Sequence, residues 1–195
     1  MSNDDANNSR RRFLTVATSA VGAAGAVGVA VPFLGSWNPS AKAKAAGAPV
    51  KADISKLEPG QMVVIEWRGK PVYVVHRTES MLESLPGLNS ELKDPDSAIS
   101  SQPAYITGDA RSLRPELLVI EGLCTHLGCA PKFWPEAGSL EAGWEGGFFC
   151  PCHGSKFDLA GRVFNGVPAS TNLVVPPYSF ESENVVVIGV DAEAA

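Results

Sequence analysis

The sequence predicts a mainly β protein, an antiparallel β-sandwich head carried on one N-terminal transmembrane helix. Two observations carry this. No charged residue occurs between Arg12 and Lys42, and residues 13–34 of that interval are a stretch of apolar and small side chains. Beyond residue 51 the apolar residues instead come in short runs separated by Gly- and Pro-rich connections, the pattern of a sandwich or small barrel.

The N-terminal stretch is long enough to matter. Twenty-two residues in helical form reach about 33 Å, enough to cross a bilayer core. A buried core helix of that length would be expected to show a polar face, and this one has none. Pro32 lies near the far end, where a kink is tolerated. Gly22, Gly25, Ala26 and Gly28 offer small surfaces for packing on another helix. The triplet Arg10-Arg11-Arg12 puts the N-terminus on the cytoplasmic side and exports everything after the helix. Ser9-Arg10-Arg11-Arg12-Phe13-Leu14 also resembles a twin-arginine export signal, a class known to carry folded proteins. A cleaved signal ending at Ala41-Lys42-Ala43 is the rival reading. The apolar stretch exceeds a signal-peptide core, which favours a retained anchor.

The resulting organisation is a cytoplasmic segment 1–12, an anchor 13–36, a linker 37–50 and a head 51–195. The linker, with Pro39, Gly47 and Pro49, has no apolar periodicity and reads as a spacer or hinge. In the head, residues 61–67 and 71–77 flank "RGK" as a hairpin. Residues 117–122, 147–150, 172–176 and 184–190 predict further strands. Residues 78–85 predict a helix, with Ser80 and Glu83 spaced as a capping box. Net charge is +3 over residues 1–50 and −8 over the rest. An acidic head argues against nucleic-acid binding. His76 reads as a surface histidine, and Trp67, Trp134 and Trp144 read as packing residues.

All four cysteines and two of the three histidines fall in two hexapeptides, "CTHLGC" at 124–129 and "CPCHGS" at 150–155. Two Cys and two His could form a zinc site. Zinc fingers, however, space Cys pairs by two residues and His pairs by three to five. Here each loop offers one Cys and one His in the same order, which suits two adjacent metals, one taking both thiolates and the other both imidazoles.

With these loops, the run "FFCPCHGSKFD", and "GVPA" at 166–169 ahead of "NLVVPPY", the chain resembles the Rieske iron–sulfur proteins, whose [2Fe–2S] cluster takes two Cys and two His. The resemblance covers anchor, linker and head. It is strongest to the Rieske subunits of bacterial cytochrome bc complexes. It implies Cys124 and Cys150 on one iron, His126 and His153 on the other, and a disulfide between Cys129 and Cys152, in a cluster-binding subdomain of about 122–170. Closing that loop of about 24 residues contributes roughly 3.5 kcal/mol on loop-closure entropy, less where the cluster already joins the loops.

The family pattern further implies that His153 receives the hydrogen bond of ubiquinol. Leu127 lies at the docking tip, Gly128 is one of the residues surrounding the cluster, Ser155 donates to a cluster sulfide, and Pro168 sits in a third covering loop. Histidine ligation leaves the oxidised cluster formally neutral, so an electron enters at a higher potential than with four thiolates. An imidazole on ferric iron also gives up its second proton more readily than one on ferrous iron, so electron and proton arrive together.

The implied role is electron carrier of a proton-translocating quinol–cytochrome c reductase in the bacterial inner membrane. The head would be periplasmic. The partners would be ubiquinol, cytochrome b and a c-type cytochrome, in a dimeric complex. One departure stands out. Many members carry a tyrosine at the position of Phe157, bonded to a cysteine sulfur, and Phe157 has no hydroxyl. A lower potential follows, by on the order of 20–60 mV for one lost hydrogen bond. The alternatives are the small Rieske subunit of a periplasmic molybdenum oxidase such as arsenite oxidase, an oxygenase-linked Rieske ferredoxin, and a structural zinc protein.

Overall fold

The computed structural model describes residues 3–192, and the chain separates into two compact units that divide after Ala45. In the first, helix α1 spans Asn3–Gly35. It starts ahead of the apolar stretch and takes in the arginine run, because residues 3–12 contain neither Gly nor Pro to interrupt it. Within Asn7–Gly35 the mean hydropathy reaches 1.8 and none of that window is buried, so the helix is long and apolar enough to cross a membrane. The linker, read as a spacer or hinge, contains a short helix α2 at Ala41–Ala46. Ser40 starts it: its hydroxyl oxygen accepts the Ala43 N–H at 3.1 Å, an N-cap.

The second unit is antiparallel β throughout its described strands. These are β1 Val50–Asp53, β2 Met62–Trp67, β3 Lys70–His76, β4 Leu117–Glu121, β5 Lys132–Trp134, β6 Gly147–Cys150, β7 Ser155–Phe157, β8 Tyr178–Ser182 and β9 Val185–Ile188. They form three three-stranded sheets, in the orders β1-β9-β8, β2-β3-β4 and β5-β6-β7. One apolar core serves all three, drawing on Ile54, Val74, Leu118, Phe148, Phe157, Tyr178 and Ile188. The expected mainly antiparallel β head is therefore present, as three small sheets.

The β2–β3 hairpin closes through Arg68 and Gly69, both at positive φ (54° and 71°), the two-residue turn that matches strand twist. Helix α3, Glu79–Ser84, begins two residues earlier than the expected capping box. Its cap is Thr78, whose Oγ1 accepts the Met81 N–H at 3.3 Å, and not Ser80. Thr78 is still extended as the chain leaves β3, which is the backbone an N-cap needs.

Residues 172–176 do not form the expected strand. Their backbone bonds go to several different segments: Leu173 N–H to Gly161 O, Val175 N–H to Ser101 O, and Val174 O from Glu121 N–H. Scattered partners cannot make a ladder, and Pro176 and Pro177 remove the next two donors. In the other direction, β1, β5, β7 and β8 carried no clear alternation in the sequence. Strands β5 and β7 are only three residues long.

Three arginines, Arg77, Arg111 and Arg162, are almost completely buried. They converge on the turn that follows β7. Arg77 donates to Leu159 O (3.1 Å), and Arg111 to Ala160 O (2.9 Å) and Leu173 O (2.8 Å). Arg162 pairs with buried Asp158 at 2.7 Å and reaches Leu85 O at 2.7 Å. Burial pulls Arg77 and Arg111 down to about 10, with the Asp158 charge the largest opposing influence, so both remain cations at neutral pH. This framework joins the β5–β7 end of the head to the rest.

Candidate metal centre

The two hexapeptides fold as matching turns. In the first, Gly128 N–H returns to Cys124 O at 2.9 Å, and in the second Gly154 N–H returns to Cys150 O at 3.0 Å. Gly128 and Gly154 sit at φ 79° and 77°, where a side chain would be strained. The first loop leaves β4 and enters β5. The second joins β6 to β7, with Cys150 and Ser155 paired across its base.

The turns bring the residues together by type. Cys124 and Cys150 are both buried, free thiols. Burial pushes the Cys150 thiol up, and the hydrogen-bonded Cys124 thiol beside it adds to the effect. Two adjacent thiolates in such a place need a cation to neutralise them. His126 is half-buried and His153 exposed, with ring centroids 4.8 Å apart and planes at 89°. Cys129 and Cys152 are joined as a disulfide between the loops, with Cα atoms 6.7 Å apart. The Cys150 sulfur lies within 4.8 Å of both disulfide sulfurs, but those two are bonded to each other and offer no thiolate. The donor set is thus two thiols and two imidazoles, and it fits a group with two metals.

The surrounding residues divide clearly. Leu127 is 70% exposed at the loop tip, beside exposed Gly128. Ser155 is fully buried, and its Oγ accepts the Ala169 N–H at 3.0 Å. Its own proton faces no protein acceptor among the described residues, so it is available to a bound group. Pro168 is exposed on segment 166–171, which touches both loops through Ala169 and through Thr125, whose hydroxyl donates to Thr171 O at 2.6 Å. Phe157 is fully buried in the core, opposite Phe148.

His76 is away from this group. It is half-buried, not a surface residue, with Nδ1 2.7 Å from Leu57 O, and it lines a separate cavity of about 510 Å³. Trp67 and Trp144 are packed inside the head, their indole N–H groups without partners. Sequence reasoning missed Thr125, Lys93 and the three arginines. Nothing in a lone Lys or Arg codes for a distant carbonyl partner.

Residues 48–179 match the Rieske [2Fe-2S] domain family. The chain belongs to the Rieske family. Residues 1–40 match the family described as the TAT signal of the ubiquinol–cytochrome c reductase Fe-S subunit. The ubiquinol–cytochrome c reductase iron–sulfur subunit of Allochromatium vinosum is 54% identical over 100% of this chain and 95% of that protein. That of Blastochloris viridis is 46% identical over 96% and 97%. The mitochondrial Rieske subunit of the Schizosaccharomyces pombe cytochrome b-c1 complex is 40% identical over 86% and 66%. A solved chain titled "Hyperthermophilic respiratory Complex III" aligns with TM-score 0.48 and 24% identity, over 88% of this chain and 98% of that one. The Rieske chain described here is accordingly an iron–sulfur subunit of the cytochrome bc1 type, in an oxidoreductase complex with cytochrome partners. It carries a [2Fe–2S] cluster, an export signal and an apolar N-terminal helix that fits a membrane anchor. The molybdenum-oxidase alternative is set aside by the same relatives.

Proposed function

We propose that Cys124 and Cys150 hold one iron of the cluster, that His126 and His153 hold the other, and that the subunit takes one electron, coupled to a proton, from ubiquinol. The carrying observation is the segregation of the donors: two buried thiols in contact, and two perpendicular imidazoles reaching solvent. When bound, the cluster supplies a one-electron acceptor whose histidine ligation raises its potential.

The chain's own residues do the rest. His153, the more exposed imidazole, presents its outward nitrogen to the quinol hydroxyl and takes its proton. Leu127 and Gly128 form the apolar tip that seats against cytochrome b. Ser155 donates its free proton toward the cluster, and the Cys129–Cys152 disulfide keeps the two loops in register. The electron then passes to the complex's c-type cytochrome. Residues 1–12 lie in the bacterial cytoplasm, 13–36 cross the inner membrane, and 37–50 act as the hinge. The head, 51–195, works in the periplasm with its cluster-binding part at 122–170, in a dimeric complex.

The test is electron paramagnetic resonance (EPR) of dithionite-reduced membranes, with and without an inhibitor of the quinol site. The reduced cluster should give a signal whose shape shifts with the inhibitor. A signal indifferent to it would count against quinol docking at His153.

A further inference from the structure

The two ligand loops are tied by a covalent bond, whereas the third loop, 166–171, has no covalent tie: Ala169 and Val167 pack on the core, and its polar attachments are hydrogen bonds. Ala169 N–H reaches Ser155 in the second loop, and Thr171 O is held by Thr125 in the first. The remaining attachment comes from outside the site. Lys93 Nζ donates to Val167 O and to Ala169 O, both at 2.6 Å. These carbonyls stand on either side of Pro168. No carboxylate lies in salt-bridge range of this ammonium among the described residues, so its bonds go to the loop.

Lys93 belongs to a segment that grips the same region repeatedly. Its backbone N–H donates to Val163 O at 3.0 Å, and Asn165 N–H reaches Glu91 O at 2.8 Å. Asn172 Nδ2 donates to Asp94 O (2.8 Å) and lies 2.9 Å from Ser97 Oγ, while its N–H reaches Ser100 Oγ at 2.9 Å. Asp94 is buried and accepts from Ala98 N–H and from Ser100 Oγ, which makes the segment rigid. Lys93 therefore projects from a fixed base.

We propose that Lys93 is a positioning residue for the cluster-covering loop. Its ammonium clips the carbonyls flanking Pro168 and so presents Ala169 N–H to Ser155. With its oxygen occupied by that N–H, the Ser155 hydroxyl keeps its proton directed at the cluster. The inference rests on the ligand assignment proposed above. Two effects then share a sign: the fixed positive charge and the oriented hydroxyl both favour the reduced cluster.

The experiment compares full-length wild-type, K93M and K93R proteins in detergent by amide hydrogen exchange and redox titration. K93M should lose protection roughly tenfold within 166–171 and nowhere else, as expected for the loss of charge-assisted hydrogen bonds. It should also shift the reduction equilibrium at least threefold toward the oxidised form, about 28 mV at 59 mV per decade. K93R should restore both. Unchanged exchange in 166–171, or faster exchange spread over the whole head, would overturn the proposal, as would a potential that K93M leaves in place. A wild-type protein with no cluster signal would sink the ligand assignment instead, which separates the two failures.

Discussion

The β2-β3-β4 and β5-β6-β7 sheets have the same three-stranded antiparallel order and are held by different forces. In the first, Val72, Val74, Val75, Leu118, Val119 and Ile120 are completely buried, and apolar area supplies the cohesion. In the second the strands are three or four residues long, and the turn beyond them is pinned by three guanidiniums, one buried ion pair and a disulfide between the flanking loops. Hydrophobic burial is non-directional, whereas hydrogen bonds and ion pairs fix angles. The end that carries the two Cys/His loops adds directional bonds to its share of the apolar core. The sheet that supports it relies mainly on apolar burial.

The largest effect should come from breaking the directional end. R162M leaves Asp158 buried with its countercharge removed, and about 3–5 kcal/mol of stability should be lost. Denaturant titration should show it together with reduced cluster content. L118A opens a cavity in the supporting sheet and should cost about 2–5 kcal/mol. Here the comparison sharpens: L118A should lower Tm while leaving the EPR line shape of folded protein unaltered. A changed line shape would mean that the two ends are not mechanically separate.

Smaller effects follow at Phe157 and Tyr178. F157Y adds a phenolic hydroxyl at the position where the family pattern implies a donor to a cysteine sulfur, and the midpoint should rise by on the order of 20–60 mV in a redox titration. An unchanged midpoint would remove the expected role of this position. Burial pushes the Tyr178 phenol up to about 12, while an unfolded tyrosine ionises near 10. An acid whose folded value is raised contributes stability in full below pH 10, and that contribution declines as pH climbs toward 12. Arg77 and Arg111, lowered by burial, act in the opposite sense over this window. Phenolate absorbance therefore isolates the effect better than Tm: Y178F should remove the last ionisation step.

The same contrast explains what could be read in advance. The apolar runs of β3, β4 and β9 and the two Cys/His hexapeptides were legible because local pattern determines them. Residues 172–176 misled because their apolar side chains are buried while their backbone finds scattered partners. Nothing local marked Arg111 and Arg162, since burial of a guanidinium depends on carbonyls tens of residues away. Thr78 displaced Ser80 as the helix cap because the end of β3 decides where the backbone is still extended. Lys93 was silent for the same reason as the arginines.

The central claim is that His126 and His153 are ligands and His76 is not. Pulsed EPR of the reduced protein tests it most directly by resolving nitrogens bonded to the paramagnetic centre. Wild type and H76Q should both show two coordinated imidazole nitrogens, and H126Q and H153Q should each lose the cluster signal. Two nitrogen couplings that survive in H126Q or H153Q, or that vanish in H76Q, would contradict the account.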